Sequence, residues 1–398
     1  MNVGVLGGGL QGLEAAYLLK KAGHRVLMLE KRPHAPALGL ADEKFCFNLT
    51  ATCQQELLDF LKKVDVIIPA TENKTTLVVM NEAAKRYAKV FCFDSQAYEL
   101  SSSKSLSNKL FSQLALPRPI PWPDSSFPLI VKPSEESGSR GVKIVFNQNE
   151  LDKVLTEEKL YKGGFIIEEF LEGPSYSIEV VTINGEGFAF ETTLLGFDEL
   201  FDCNRVIAPN GLDEKSNKEM QEMALRIAQS LKLTGIMDLE TILHEGKFKV
   251  LEIDARLPSQ TPTVVYKATG LNLVSYLLSS FLHKDLPGVE AGAKRAVIYE
   301  HLYFCDGMVF FPGEHIITSC KENLFYMEDF FGADEAITNC VEKKEQKSWV
   351  ATVIITGHNL EQARTKREYM LKRILEKYRA ELFPSKNIEK TAVKGRKS

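Results

Sequence analysis

The sequence predicts an α/β protein, with a parallel sheet at the amino terminus and a mixed α+β region at the carboxyl terminus. Short β runs alternate with helical stretches over residues 1–100, the pattern of a parallel sheet with crossover helices. Residues 7–12 read G-x-G-x-x-G directly after the first of these runs, as in a Rossmann-like domain. Further along, residues 250–256 alternate apolar and charged side chains, which is typical of a strand with one polar face.

The amino-terminal domain is expected to contain strands at residues 3–6, 25–29, 64–69 and 90–93. The glycines of residues 7–12 open a helix whose N–H groups can bind any anion, so the motif alone does not name a ligand. Glu30 lies where a dinucleotide-binding domain places its ribose acid, which keeps an NAD-dependent oxidoreductase open as an alternative. Glu72 follows the third strand, where it could bind a substrate ammonium group or belong to a helix N-cap region.

A proline-rich segment, residues 116–123, is expected to join this domain to a smaller lobe. There an apolar strand ends at Lys132, and a Gly/Ser loop at residues 134–141 follows, whose backbone N–H groups could approach phosphate oxygens. The loop lacks the pattern of a Walker A motif, and a plain hairpin is the alternative. Residues 164–174 form an apolar strand and an acidic connector, where apolar side chains could sandwich an adenine ring.

Residues 250–256 place Glu252, Asp254 and Arg256 on one face of the predicted strand, with Ile253 toward the core. Two adjacent carboxylates repel each other unless a cation lies between them, and Mg²⁺ prefers such oxygen ligands. The Arg256 guanidinium would then face a phosphoryl group in transfer. The alternative is an ordinary strand with a solvated polar face.

In their order and spacing these segments resemble the ATP-grasp superfamily, over about residues 100–290. The resemblance implies ATP as a co-substrate and Mg²⁺, expected as two ions, as the cofactor. The ATP-binding residues that it implies are Lys104 and Lys132 at the phosphates, Ser139 in the loop, and Glu168, Glu169 and Leu171 at the adenine hinge. The implied magnesium ligands are Glu240, Glu252 and Asp254, with Asp238 in reserve. Arg256 would stabilise an acyl phosphate as it forms and breaks.

Two positions depart from the superfamily pattern. Many members have Asn where this chain has Asp254, which adds negative charge and still suits Mg²⁺. The Glu that commonly binds the ribose aligns with Ser175. Glu172 or Glu179 would therefore have to take that role in binding ATP, and Glu179 could instead face the substrate.

Further polar residues are candidates for substrate contact. The substrate-binding candidates are Leu10, Gln11, Glu72, Ser177, Asp202, Ser259 and Gln260. Asp198 and Glu199 are additional acids that could bind ammonium groups. Arg205 is the candidate that would bind a carboxylate or the ATP γ-phosphate and act in catalysis. Each of these charges could equally be solvated at the surface.

The composition agrees with a metabolic enzyme. The 398 residues suffice for two or three domains, and 44% hydrophobic with 26% charged residues is ordinary globular usage. A net charge of -4 argues against nucleic acid as the main partner, and no apolar run is long enough to span a membrane. The seven cysteines lack C-x-x-C spacing, so they are expected to be reduced in a cytoplasmic protein without a signal peptide.

The whole chain also resembles the family of ATP-grasp ligases of pyrrolysine biosynthesis, from residues 7–12 through residues 252–260. This resemblance implies that the carboxylate of (3R)-3-methyl-D-ornithine is joined to the ε-amine of L-lysine through an acyl phosphate, with ADP and phosphate as products. Purine-pathway carboxylases and D-amino-acid ligases are the alternatives within the superfamily. Both expected substrates are small amino acids, and a homodimer is expected.

Three domains are expected. They are a Rossmann-like substrate domain at residues 1–100, a central ATP-grasp domain at 101–290 with its small lobe at about 116–180, and a carboxyl-terminal domain at 291–398. The last long helix is expected from about Asn359 to Glu381, and the basic tail after it is expected to be disordered.

Overall fold

The computed structural model describes residues 1–49, 54–134, 141–157, 164–290, 292–341 and 346–383. Most of the Gly/Ser loop, including Ser139, and the basic tail lie outside these ranges, so the expectations about them stay predictions. Within the described ranges, no helix is both long enough and apolar enough to cross a membrane.

A parallel sheet forms the amino-terminal region. Its strands are β1 (Asn2–Leu6), β2 (Arg25–Glu30), β3 (Glu43–Cys46), β4 (Val66–Pro69) and β5 (Val90–Phe91), in the spatial order β3-β2-β1-β4-β5. The connections contain α1 (Leu10–Lys21), α2 (Gln54–Lys63), α3 (Lys74–Arg86) and a short 3₁₀ helix (Pro36–Gly39). Strand β4 is buried along its whole length, as expected for a parallel strand covered on both faces. The four predicted strands are confirmed, and β3 adds an edge that was not predicted.

An antiparallel sheet of three strands forms the small lobe. After α4 (Ser95–Ser101) and α5 (Lys104–Gln113), the lobe contains β6 (Leu129–Pro133), β7 (Lys143–Val145), α6 (Gln148–Glu157) and β8 (Phe165–Glu169). Both β7 and β8 pair with β6 in antiparallel fashion. Strands β6 and β7, which flank the Gly/Ser segment in the chain, are therefore neighbours in this sheet, and Lys132 lies near the end of β6.

A large sheet contains the remaining strands. They are β9 (Ser175–Ile183), β10 (Glu186–Ala189), β11 (Thr193–Phe197), β12 (Cys203–Ala208), β13 (Gly235–His244), β14 (Lys247–Asp254), β15 (Ala296–Cys305), β16 (Met308–Phe310), β17 (Phe325–Phe330), β18 (Ala333–Thr338), β19 (Ser348–Gly357) and β20 (Glu381–Leu382). The main path runs β14-β13-β9-β11-β12-β15-β19-β18-β17. Because β12 pairs directly with β15, the strands after residue 291 extend the sheet formed by the strands before it.

Helices cover both faces of this sheet. They are α7 (Glu214–Leu231), α8 (Thr261–Thr269), α9 (Leu273–Leu282), α10 (His315–Thr318) and α11 (Leu360–Tyr378). The side chain of Asn359 caps α11 by accepting a hydrogen bond from Gln362 N at 2.9 Å, so the helix begins where it was predicted to begin. It ends three residues earlier than predicted, because Arg379 adopts the left-handed conformation.

Alternate residues of β9 point to opposite faces of the sheet. Ile178 and Val180 belong to the apolar core that includes Met220 of α7. Val181 belongs to the core that includes α8 and α9. Side chains two residues apart on a strand share a face, so Glu179 and Ser177 point to the same side of the sheet as Val181, toward α8. This face contains the candidate site.

Candidate active site

Polar side chains form two rows across β9, β13 and β14. In the first row Asp238 lies opposite Glu179 on one side and Asp254 on the other. In the second row Glu240 lies opposite Ser177 and Glu252. Residues directly opposite each other in an antiparallel sheet share a face, so these six side chains lie together on the α8 side. A β-bulge between Glu240 and Thr241 ends the polar stretch, since Val250 and Phe248 beyond it lie in the apolar core of the other face.

The close packing of these acids shifts their pKa values. Burial and the neighbouring Glu252 raise the pKa of Glu240 to about 8. Burial likewise raises the pKa of Asp254 to about 6, with Arg256 acting in the opposite direction. Burial together with Asp254 raises the pKa of Asp238 well above its ordinary range. Only Glu252 has a lowered pKa, because the Lys104 ammonium stabilises its charged form.

A divalent cation would suit this face. Buried oxygens of Asp238 and Asp254 (Oδ1 in each) have no hydrogen-bond partner within the described part of the chain. The described side chains do not form a ready-made cluster of three or more metal ligands. The donor set therefore fits Mg²⁺, which is commonly held by one or two carboxylates together with substrate phosphates, better than a metal that needs a complete protein cage.

Two lysines lie beside the acid rows. Lys104 is the first residue of α5, whose N-cap is Ser103, and its backbone N–H donates to the Ser134 carbonyl at 3.0 Å. Its Nζ lies 3.1 Å from Glu252 Oε2. The Nζ of Lys132 lies 2.6 Å from Oε1 of Glu168, which is buried. The structure thus holds both predicted phosphate-binding ammonium groups at fixed positions in the region between the small lobe and the large sheet.

The predicted adenine hinge follows β8. Glu169 accepts a hydrogen bond from Ile120 N at 2.9 Å and pairs with Lys249 at 3.1 Å, which ties the hinge to the proline-rich segment and to β14. Leu171 is buried. The side chains of Glu168 and Glu169 are thus engaged within the protein, which leaves the main chain of this segment as the group that could read an adenine edge.

Arg256 connects the acid rows to the amino-terminal domain. Its Nη2 lies 2.7 Å from Asp254 Oδ2 and also donates to the Glu72 carboxylate. Glu72 is not the cap of α3, since Asn73 fills that position by accepting from Thr76 N at 2.9 Å. Glu72 directly precedes this N-cap residue, so it lies in the N-cap region of α3, and its carboxylate also lies at the candidate site.

Helix α1 lies beside the start of α8, since Thr263 N donates to Glu14 Oε1 at 2.6 Å. Leu10 is buried in the core, and Gln11 follows it in the first turn of α1. Gly8 N donates to Glu30 Oε2 at 2.7 Å, and Arg32 N donates to Glu30 Oε1 at 3.0 Å. Because the protein itself holds the Glu30 carboxylate, this geometry does not favour the dinucleotide alternative.

Ser259 and Gln260 lie in an unusual turn that follows Arg256 after Leu257 and Pro258. Gln260 has φ 71° and ψ -56°, and Thr261 N donates to the Ser259 carbonyl at 2.8 Å across it. This is the rare, strained form of the γ-turn. The Gln260 side chain is 3% exposed, and its Oε1 has no partner among the described residues. Strained, buried polar residues of this kind cluster at functional sites.

Glu314 also contacts this turn, and the sequence did not predict it. Its Oε2 accepts from Gln260 Nε2 at 2.8 Å and from Ser259 Oγ at 3.1 Å. Burial, and then the nearby Asp202, raises the pKa of Glu314. Glu314 follows β16 and lies far along the chain from Gln260, so only the three-dimensional fold could have shown that the two side chains meet.

Two predicted substrate-contacting acids hold the backbone instead. Asp198 Oδ2 accepts from Gly313 N at 2.9 Å, and Asp202 Oδ2 accepts from His315 N at 2.9 Å. Asp202 also lies 2.7 Å from Nδ1 of His315. Asp202 was expected in the open cleft. It is instead buried and holds the turn around Glu314.

The expected placement of Arg205 is corrected as well. Arg205 lies opposite Glu300 of β15, and its Nε donates to the fully buried Glu300 carboxylate at 2.7 Å. Arg367 of α11 donates to the same carboxylate at 2.6 Å. Leu195 of β11 pairs with Ser175 of β9 and with Val206 of β12, so Val206 faces the same side of the sheet as the acid rows. Arg205 precedes Val206 on the strand and therefore points to the opposite face.

Two known protein families match the sequence. The family described as PylC-like, N-terminal domain, matches residues 3–92, and the family described as D-ala D-ala ligase C-terminus matches residues 123–272. Among curated proteins, the 3-methyl-D-ornithine–L-lysine ligase of Methanosarcina mazei is 37% identical over 332 residues, which cover 82% of this chain and 84% of the relative. The ligase of the same name from Methanosarcina barkeri is 35% identical over 81% of this chain and 86% of its own.

Solved structures share the fold at low sequence identity. A biotin carboxylase complex from Campylobacter jejuni superposes with a TM-score of 0.72 at 16% identity, covering 93% of this chain and 91% of the other. The biotin carboxylase domain of the Hydrogenobacter thermophilus 2-oxoglutarate carboxylase, a dimer in complex with MgADP and bicarbonate, has a TM-score of 0.72 at 14% identity, covering 93% and 89%. At these identities the likeness shows a common fold and nothing finer.

Proposed function

The chain belongs to the family of 3-methyl-D-ornithine–L-lysine ligases, which have the ATP-grasp fold, and from this premise we propose that it joins (3R)-3-methyl-D-ornithine to the ε-amine of L-lysine in pyrrolysine biosynthesis. The reaction consumes ATP and forms an amide. The observation that supports the proposal most directly is the double row of acids on β9, β13 and β14, beside Lys104 and Arg256.

In the first step, an oxygen of the ornithine carboxylate attacks the γ-phosphorus of ATP. The bond between that phosphorus and the β–γ bridging oxygen breaks, so ADP leaves and an acyl phosphate forms. Lys104 and Lys132 are proposed to hold the phosphates, and Arg256 is proposed to stabilise the charge on the group in transfer. Their ion pairs with Glu252, Glu168 and Asp254 position these cations in advance.

Glu240 and Glu252 are the residues proposed to hold Mg²⁺ together with the nucleotide phosphates, and Asp254 is the proposed ligand of a second ion. When bound, Mg²⁺ neutralises phosphate charge that would otherwise repel the attacking carboxylate. Burial first, and then the neighbouring carboxylates, raise the pKa values of Glu240 and Asp254, and a cation on this face would stabilise their charged forms.

In the second step, the deprotonated lysine ε-nitrogen attacks the acyl carbon, the bond from that carbon to the phosphate oxygen breaks, and the proton released from the amine passes to the departing phosphate or to a nearby carboxylate. The proposed substrates contribute several ammonium groups, which suit an acidic cleft. Glu179 is fully buried, lies within the cleft face and has a pKa raised to about 7 by burial. Its position on the α8 side favours substrate contact over ribose binding.

Two alternatives have less support. A carboxylase shares the fold, but the two carboxylase structures described above are 14–16% identical to this chain, whereas the curated ligases named above are 35–37% identical. An oxidoreductase would need the Glu30 carboxylate for a ribose, and Gly8 and Arg32 already bind it.

The proposal is tested by incubating the purified protein with MgATP, L-lysine and 3-methyl-D-ornithine, and quantifying nucleotides and products by mass spectrometry. The expected result is a new species at the summed mass less one water, formed in equal amount with ADP. The Glu252→Gln variant is expected to abolish both signals. ADP without the adduct would refute the substrates and retain the reaction class; no ATP turnover by the wild type would refute the ligase.

The same proposal includes two Mg²⁺ ions per site, a homodimer and a cytoplasmic location. Isothermal titration with MgADP at varied free Mg²⁺ counts the ions, and sedimentation equilibrium gives the number of subunits. One ion, or a monomer at micromolar concentration, would contradict the respective part.

A further inference from the structure

The turn at residues 313–315 brings a carboxylate to the candidate site from outside the segments that resemble the ATP-grasp motifs. Both hydrogen bonds that Glu314 accepts, from Ser259 and Gln260, end on Oε2. A carboxylate offers about four acceptor positions on its two oxygens. Within the described part of the chain, no Lys or Arg forms an ion pair with Glu314. The neighbouring His315 imidazole lies 2.7 Å from Asp202, so no cationic side chain of the described chain pairs directly with the Glu314 carboxylate.

Asp198 and Asp202 fix the position of this carboxylate. They accept hydrogen bonds from the backbone N–H groups of the residues on either side of Glu314, each at 2.9 Å. A Cβ atom on Gly313 would overlap the Asp202 carboxyl group, so only glycine fits there. Two aspartates, one glycine and a strained turn thus hold a single glutamate in place.

Besides the two hydrogen-bond donors on Ser259 and Gln260, acceptor groups also lie near Glu314. The buried Oε1 of Gln260 has no partner among the described residues. Glu314 is close enough to Glu240 to contribute to the raised pKa of that acid, after burial and Glu252. A cleft that places an amide oxygen beside an uncompensated carboxylate is complementary to a group that both donates hydrogen bonds and is positively charged.

We infer that Glu314, together with the Gln260 side-chain oxygen, binds one non-reacting ammonium group of the diamino acid substrates, and that Asp198 and Asp202 are its positioning residues. The inference rests on the proposed function. It makes Glu314 a specificity-determining residue, because a substrate without that amine would leave the partly buried carboxylate without a cationic partner.

The test compares the wild type with Glu314→Gln, which keeps the shape and the acceptor oxygen. Each enzyme is assayed with the natural pair and with analogues that each lack one non-reacting amine: the α- or side-chain amine of 3-methyl-D-ornithine, or the α-amine of lysine. We expect Glu314→Gln to raise the KM of one substrate by about 10- to 100-fold. In the wild type, the analogue that lacks the bound amine should have a KM higher than that of the natural substrate by the same factor. In the variant, loss of that amine should raise the KM no further.

The inference would be overturned if each of the three analogues raised KM by the same factor in the wild type and in Glu314→Gln. Failure of the wild type to form ADP with the natural pair would instead refute the proposed function, so the two failures are distinguishable. Gly313→Ala provides a second variant that leaves the carboxylate intact and displaces its turn. It should reproduce the KM effect on the same substrate, whereas Gly288→Ala, at a position with open space around it, should not.

Discussion

Replacing Glu335 with glutamine should loosen the contact that joins α1, α8 and β18. Glu335 is 7% exposed, and its Oε1 lies 2.8 Å from Lys21 Nζ of α1 and 2.8 Å from Lys267 Nζ of α8. Tyr17 donates to the other oxygen. One carboxylate therefore forms ion pairs with two ammonium groups that belong to different parts of the chain.

The size of the effect follows from the shifted pKa. Burial alone would raise the pKa of Glu335, but the hydrogen bonds from Lys21, Lys267 and Tyr17 outweigh it and lower the pKa from 4.5 to about 2. A shift of this size corresponds to about 3 kcal/mol, and partial exposure of the two lysines reduces the expectation to about 2 kcal/mol. Because the folded-state pKa is lowered, this stabilisation is complete above about pH 4.5 and disappears as the pH falls through about 2.

The loss of local stability is measured as faster hydrogen exchange, by mass spectrometry, in peptides from α1 and α8. At pH 7 a loss of about 2 kcal/mol in local opening free energy makes exchange about 30-fold faster in Glu335→Gln than in the wild type. At pH 3 less than half of that free-energy difference should remain. Glu328→Gln, an exposed acid on the adjacent strand β17, is the matched control and should change exchange by less than 3-fold. Equal exchange in Glu335→Gln and the control at pH 7 would refute the reasoning.

Three further changes probe the site. Lys132→Met should weaken ATP binding by about 10- to 100-fold. Adding Glu168→Gln removes the carboxylate that lost its partner, so the double variant should regain the thermal unfolding midpoint but not the ATP affinity. Recovery of ATP binding in the double variant would contradict the phosphate-binding role of Lys132. Arg256→Lys should lower kcat by about 100- to 1,000-fold while the Kd for MgADP changes little, because the guanidinium is proposed to act on the transferring group; stopped-flow kinetics and calorimetry separate the two quantities. Gln260→Gly should be about 1 kcal/mol more stable than Gln260→Ala, since both lack the amide and only glycine adopts the turn without strain; equal urea midpoints for the two variants would show that the backbone there is unstrained.

Much of the fold could be predicted because its strands are buried in ways that a sequence records. The continuous apolar runs of β1 and β4 follow from burial on both faces of a parallel sheet. Strand β3 was missed because it lies at the sheet edge, where its residues alternate between partly buried and exposed and include Glu43 and Lys44. Edge strands have few apolar residues that would distinguish them from a loop.

The acid rows could be predicted in part, for a similar reason. A period of two places Glu252 and Asp254 on one face, and the family resemblance added Glu240 on the adjacent strand. The direction of Arg205 could not be predicted, because it depends on how β12 is registered against β11 and β15. Glu314 meets Gln260 across 54 residues of chain, and such a contact has no local signal in the sequence.

The unbroken path from β14 to β17 bears on how related enzymes could exchange segments. A crossover placed near residue 291 in a chimaeric gene would separate β12 from β15, which share a ladder from Arg205 opposite Glu300 to Ala208 opposite Val297. Parents that differ in this seam would give hybrids with mismatched hydrogen bonds through the middle of the sheet. Recombination breakpoints in this family are therefore expected to avoid the apparent boundary and to fall instead in the proline-rich segment before β6, where no strand of the large sheet is divided.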